Sequence, residues 1–180
     1  MTIYNSRAYL IVDSKRCQGC LSCMLACSMV HHGESNLSLS RIQVMQNILA
    51  NWPDDIRIAQ CRQCSEAPCV EACPTGALYI DSANDNLRII NESECIGCRL
   101  CIDACPFSPQ RIIFNPVSSK SEKCDLCLET PFWNDGGPGG KHACIEVCPQ
   151  HVIKVTSQMP EQHGDSGYDT EINDIAGDQV

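Results

Sequence analysis

The chain has 180 residues, sixteen of them cysteine and only 5% of them aromatic, so a conventional side-chain core cannot be what holds it together. Its formal charge of −9 argues against a nucleic-acid partner, whose phosphates are bound by Lys and Arg. No stretch approaches the roughly eighteen apolar residues of a membrane span. The N-terminus "MTIYNSRAYLIVDSKRC" has neither the basic start and apolar run of an export signal nor a twin arginine. A cytoplasmic chain is expected, in which thiols stay reduced and metal is the favoured use of cysteine.

"AYLIVD", residues 8–13, reads as a strand, and Cys17, Cys20, Cys23 and Cys27 follow it with the spacing C-x2-C-x2-C-x3-C. "IRIAQ", residues 56–60, is the next strand and leads into Cys61, Cys64, Cys69 and Cys73, where the middle gap widens to four residues. "ALYI" (77–80) and "LRII" (87–90) flank the turn "DSANDN". Cys95, Cys98, Cys101 and Cys105 repeat the first spacing, and "RIIF" (111–114) comes after them. In Cys124, Cys127, Cys144 and Cys148 the middle gap is sixteen residues, and "VIKV" (152–155) ends the patterned region. Residues 157–180 carry six acids (Glu161, Asp165, Asp169, Glu171, Asp174, Asp178) and no Lys or Arg; without them the charge falls to −3. This tail reads as a poorly packed segment, a solvated end or a docking arm.

Every cysteine belongs to one of these four groups, and proline follows the last cysteine of groups two, three and four (Pro74, Pro106, Pro149), with Ser28 in that place in group one. The run is that of bacterial ferredoxins: three cysteines bind one [4Fe–4S] cube and the fourth reaches another. Three thiolates on a tight loop can wrap three corners of a cube. A short helix then carries the fourth cysteine to the neighbour, and proline fits where that helix ends. The expected fold is α+β, with two ferredoxin-like units of short strands and helices of one to three turns built around four [4Fe–4S] clusters.

Zinc is the competing use of paired C-x2-C motifs, but a third cysteine two residues on is wasteful for tetrahedral zinc and natural for a cube. The C-x3-C-x2-C order of a radical enzyme is absent. "GGPGGK" fails as a phosphate loop, because Asp135 stands where the first glycine should be and His142 where Ser or Thr should be. His31, His32 and His142 are expected beside the clusters or on the surface, since no group lacks a cysteine. Phe107, Phe132 and Trp133 lie near the cysteine loops, to shield clusters or to pack.

"CRQCSEAPCVEACPTGAL", "ECIGCRLCIDACPF" and "KCDLC…ACIEVCP" resemble the second, third and fourth groups of a known family: the four-cluster, ferredoxin-like electron-transfer subunits of bis-pterin molybdenum and tungsten oxidoreductases, the dimethyl sulfoxide reductase iron–sulfur subunit family. The resemblance covers residues 8–155. It implies that groups one and four form one unit (1–50 plus 116–156) and groups two and three the other (51–115), with "AYLIVD" meeting "VIKV". It also implies the ligand sets Cys17, Cys20, Cys23 with Cys148; Cys124, Cys127, Cys144 with Cys27; Cys61, Cys64, Cys69 with Cys105; and Cys95, Cys98, Cys101 with Cys73. The compact length and "GGPGGKHACIEVCP" look most like the small subunits of tungsten aldehyde oxidoreductase and benzoyl-coenzyme A reductase complexes. The implied partners are a large tungsten or molybdenum pterin catalytic subunit and a ferredoxin or flavin-containing carrier, so the chain is not an enzyme by itself. An independent polyferredoxin shuttle is the alternative, or a subunit of a hydrogenase, formate dehydrogenase or carbon monoxide dehydrogenase. The 128–143 insert is expected as a surface loop that touches the catalytic partner.

Overall fold

The computed structural model describes residues 5–128, 130–165 and 167–172. In these residues the chain forms strands β1 (Tyr9–Val12), β2 (Ile42–Gln46), β3 (Ile56–Gln60), β4 (Leu78–Asp81), β5 (Leu87–Ile90), β6 (Ile112–Asn115), β7 (Lys120–Lys123) and β8 (Ile153–Thr156). The helices are α1 (Ser22–His32), α2 (Pro68–Glu71), α3 (Leu100–Asp103) and α4 (Ala143–Glu146). The strands pair as four antiparallel ribbons, β1 with β8, β2 with β3, β4 with β5 and β6 with β7. A two-stranded ribbon is marginal alone, so each must gain its stability from what it packs against.

"AYLIVD" and "VIKV" do meet, with Tyr9 opposite Thr156 and Val12 opposite Ile153. The boundaries expected at 50/51 and 115/116 both fall inside hairpins: β2 pairs with β3 and β6 with β7 across them. Two strands gave no usable signal in the sequence. The run "KSEK" of β7 is wholly polar, yet Ser121, Glu122 and Lys123 are buried among other polar groups. In β2, Gln43 and Gln46 break up the apolar pattern.

Helix length follows the residue after each fourth cysteine. Pro74, Pro106 and Pro149 stop α2, α3 and α4 after one turn, since proline blocks the helical conformation of the residue before it. Ser28 instead lets α1 run eleven residues to a left-handed cap at Gly33 (φ 72°). Its buried hydroxyl donates to the Glu34 carbonyl and accepts from the Asn36 N–H at 2.9 Å, folding the following chain back over the helix.

Cysteines are built into the core. The larger core joins Leu10, Val12, Ile42, Ile58 and Ile153 to Cys23, Cys27, Cys144 and Cys148, and a smaller one is centred on Leu78, Cys101 and Ile112.

The tail corrects one expectation. Residues 167–172 are packed: Tyr168 and Ile172 are buried, and the segment runs beside β1, with Val12 N–H donating to the Tyr168 carbonyl and Thr170 N–H to the Val12 carbonyl, both at 2.8 Å. Two of the tail's acids are anchors. Asp169 accepts from Ser14 N–H at 2.9 Å, and Asp165 accepts from Arg62 and Arg111 at 2.5 and 2.7 Å. Asp174 and Asp178 lie outside the described residues. The Arg62 guanidinium stacks on the Tyr168 ring at 4.5 Å, and the Tyr168 hydroxyl donates to the Arg62 carbonyl at 2.8 Å. Replacing Tyr168 with Ala should therefore cost about 3 kcal/mol, the scale for truncating a buried aromatic, read as a lower apparent Tm and faster bleaching of visible absorbance in air.

Candidate metal centres

The sixteen sulfurs gather around four hollows, each opening onto about 310 to 360 Å³ of space. The Cys17 hollow is lined by Cys17, Cys20, Cys23 and Cys148, and the Cys124 hollow by Cys124, Cys127, Cys144 and Cys27. The Cys61 hollow is lined by Cys61, Cys64, Cys69 and Cys105, and the Cys95 hollow by Cys95, Cys98, Cys101 and Cys73. Among the described residues, no set of three or more His, Cys, Asp or Glu side chains is arranged to hold a single metal ion. The thiols stand around a space instead of converging on a point, which suits a cube with one cysteine at each iron and not a zinc ion with Zn–S bonds of about 2.3 Å.

One backbone device recurs in all four loops. The residue just before the second cysteine takes the left-handed conformation: Gly19 (φ 64°), Gln63 (φ 48°), Gly97 (φ 69°) and Leu126 (φ 57°). A left-handed residue in a short loop can turn neighbouring N–H groups to one side, making a nest for negative charge; in the fourth loop Cys127 is left-handed as well (φ 57°). Two of the loops meet this demand with glycine. The other two hold a strained residue in place by its side chain: Leu126 is in the core, and Gln63 donates to the Cys124 carbonyl at 3.0 Å while accepting from Arg88 N–H at 2.8 Å.

Each helix then serves two hollows. Cys23 and Cys27 are one turn apart on α1, about 6 Å along the axis, and Cys73, Cys105 and Cys148 follow two residues after the ends of α2, α3 and α4, so the third cysteine of a group lines one hollow and the fourth lines another. α1 packs on α4 and α2 on α3, and the fourth cysteines of groups one and four, and of groups two and three, line each other's hollows. Where the chain returns into the next strand it donates to the exchanged sulfur: Arg41 N–H to Cys27 Sγ at 3.3 Å, Leu78 N–H to Cys73 Sγ at 3.4 Å, and Arg111 N–H to Cys105 Sγ at 3.3 Å.

Burial, then the neighbouring sulfurs Cys17, Cys148 and Cys20, push the Cys23 thiol up to about 12. Burial with Cys61 and Cys105 does the same for Cys64, also to about 12. Burial raises Cys144 strongly, assisted by Cys124, Cys127 and Cys27. Sulfurs crowded in this way resist ionising alone and become thiolates when iron supplies the compensating charge, so assembly of the centres releases protons.

The polar surroundings differ from hollow to hollow. Beside the Cys124 hollow, Arg41 pairs with Asp125 at 2.6 Å and lies 3.5 Å from Glu122 and 3.6 Å from Glu92. Asp125 also accepts from Cys127 N–H at 3.0 Å, fixing the turn of the fourth group. His31 and His142 line this hollow beside its cysteines, and His32 Nε2 lies 3.0 Å from the Glu122 carboxylate. Phe107 lines the Cys61 hollow, and Phe132 lies against Gly33 at the end of α1. The insert folds back onto its own loop: Gly137 N–H donates to the Leu126 carbonyl at 3.1 Å, and Gly136 lies against the Cys127 carbonyl.

The sequence matches the 4Fe-4S dicluster domain family over residues 55–158 and again over residues 16–78. It is 35% identical over 150 residues to the uncharacterized ferredoxin-like protein YdhX of Escherichia coli K12, covering 82% of this chain and 64% of that one, so the chain spans less than two thirds of that relative. It is 33% identical over 150 residues to the thiosulfate reductase electron transfer subunit PhsB of Salmonella typhi (81% of this chain, 73% of that one). It is 35% identical over 159 residues to the protein NrfC of Escherichia coli K12 (85% and 66%). Among solved structures it is similar to a chain of the active site complex BamBC of benzoyl coenzyme A reductase with benzoyl-CoA, at a TM-score of 0.45 and 22% identity over 83% of this chain and 78% of that one, a likeness too slight to bear on function. The chain belongs to the 4Fe-4S dicluster domain family, and its sixteen cysteines are those of four [4Fe–4S] clusters.

Proposed function

We propose that the chain is the electron-transfer subunit of an oxidoreductase, wiring a large tungsten or molybdenum pterin catalytic subunit of the aldehyde oxidoreductase type to a ferredoxin or flavin-containing carrier. The observation that carries this reading is the lining of each hollow by three cysteines of one group and the fourth of another. The cysteines lining each hollow are its proposed ligand set. Groups one and four then make one unit (1–50 plus 116–156) and groups two and three the other (51–115). When bound, each cluster takes up and passes on one electron.

The residues of the chain set the order of the wire. α1 and α4 join the Cys17 hollow to the Cys124 hollow, and α2 and α3 join the Cys61 hollow to the Cys95 hollow. Gln63, in the Cys61 loop, donates to the Cys124 carbonyl and links the two pairs. The order is Cys17, Cys124, Cys61, Cys95. Cys20 and Cys98, one in each terminal hollow, are exposed, whereas Cys27, Cys127 and Cys144 around the Cys124 hollow are buried. Ile96, 65% exposed, and Leu100 sit beside Cys98, an apolar rim on which a partner can exclude water. The similarity to PhsB, an electron transfer subunit, supports the same role. The acidic chain fits a partner with a basic docking face.

Anaerobic isolation of the native complex, with metal analysis of its protein bands, tests the reading. About sixteen irons per chain without zinc are expected from four cubes, together with tungsten or molybdenum in a large second chain. About twelve irons or stoichiometric zinc overturns the cluster count; nickel in the large chain overturns the partner, and a chain that purifies alone is a shuttle.

A further inference from the structure

We infer that Arg62, Arg111 and Lys123 make the cluster held by Cys61, Cys64, Cys69 and Cys105 the highest-potential cluster of the four and the first to take an electron; this rests on the ligand sets proposed above. The hollows differ most in charge. The Cys17 hollow is lined by uncharged residues, among them Gln18, Leu21, Val44, Ile58 and Gln150. The Cys124 hollow has Arg41, but Asp125, Glu122 and Glu92 face that guanidinium. The Cys95 hollow has Arg99, which is exposed and stacks on Phe114 at 3.8 Å.

The Cys61 hollow is lined by Arg62, Arg88, Arg111 and Lys123, all buried. Asp165 accepts from both Arg62 and Arg111, so one carboxylate serves two guanidinium groups. Lys123 Nζ donates to the backbone carbonyls of Arg88 and Cys124, which carry no net charge. Moreover, Nε and Nη1 of Arg62 and of Arg111 are buried without a hydrogen-bond partner among the described residues. Donors left over in the lining of a four-thiol hollow fit the sulfides and thiolates of a cube, which the protein alone does not provide.

Reduction moves one electron onto this cluster from its oxidised-going neighbour in the wire and adds one negative charge to the hollow. Fixed cations at low local dielectric, and N–H donors aimed at sulfur, stabilise that added charge and raise the potential. Placed third in the wire, this cluster would hold an electron inside the chain between exchanges at the two exposed ends.

The test is a potentiometric titration of the purified chain carrying its clusters, followed by EPR under anaerobic conditions. Arg111→Met should lower the equilibrium constant for reducing the highest-potential signal at least tenfold, which is about 59 mV for one electron, and leave the other three signals in place. Arg111→Lys, which keeps the charge, should restore most of the shift. Asp165→Asn, which removes the counter-charge, should move the same signal upward, and it decides the matter if Arg111→Met fails to hold its iron. A highest-potential signal unmoved by Asp165→Asn, or a shift confined to another cluster, overturns the inference. Wild-type protein with fewer than about sixteen irons overturns the ligand sets themselves; a full complement with an unmoved signal overturns this inference alone.

Discussion

Replacing Cys148 with Ser is expected to cost the chain the cluster of Cys17, Cys20 and Cys23, although Cys148 stands 125 or more positions after those three in the sequence. Cys148 lines their hollow, and the Cys23 sulfur feels its charge directly. Cys144, one helical turn earlier, lines a different hollow with Cys124 and Cys127. The expected loss is the whole cube, about four irons of sixteen. Double variants identify which cube is lost. Cys148→Ser combined with Cys17→Ser should lose no more iron than either alone, because both remove the same centre. Combined with Cys124→Ser the losses should add, to about eight irons. The opposite pattern, additive with Cys17 and saturating with Cys124, would mean that group four keeps its own fourth cysteine and that the exchange between helices is wrong.

The exchange rests on features of very different legibility. The four cysteine groups, the prolines after three of them and the single serine after the first are printed in the sequence, and helix lengths follow from them. The hairpins are less legible, because a ribbon that packs on cysteines and buried polar groups does not need an apolar face; β7, "KSEK", could not be read by periodicity at all. The arginine shell was hidden for a related reason. Arg62 lies inside "CRQC" and Arg88 inside "LRII", where a lone arginine reads as a solvated side chain, and only the return of the tail shows that Arg62 is buried under Tyr168. Six acids without a base read as a poorly packed segment, a solvated end or a docking arm, whereas Asp165 and Asp169 are complements to groups far away in the sequence. A signal for the inward-turned loops was present but weak: glycine before the second cysteine in groups one and three marks a position that Gln63 and Leu126 occupy in the other two.

Gly97 and Gly136 should prove the least replaceable residues outside the cysteines, each for a different cluster. Gly97 has φ 69°, where a side chain costs about 1–2 kcal/mol, and a Cβ there would be driven into the carbonyl of Ser119, at the turn between β6 and β7. That turn cannot easily retreat, because Lys120 Nζ donates to the Cys95 carbonyl and Arg99 stacks on Phe114 of the same hairpin. Gly97→Ala should therefore displace the Cys95 loop and lose its cluster, leaving about twelve irons. Gly136 has an ordinary φ but lies against the Cys127 carbonyl, so Ala at this position pushes the insert off the Cys124 loop. The cluster of Cys27, Cys124, Cys127 and Cys144 should be lost in its turn. Gly139→Ala is the matched control, since a Cβ at that position meets nothing within 4 Å. Iron content and EPR of the three variants check the prediction. If Gly136→Ala keeps all its iron, the insert is a loose flap that the cysteine loop does not need; if Gly139→Ala loses iron as readily, the insert works as a whole and not through the single close approach at Gly136.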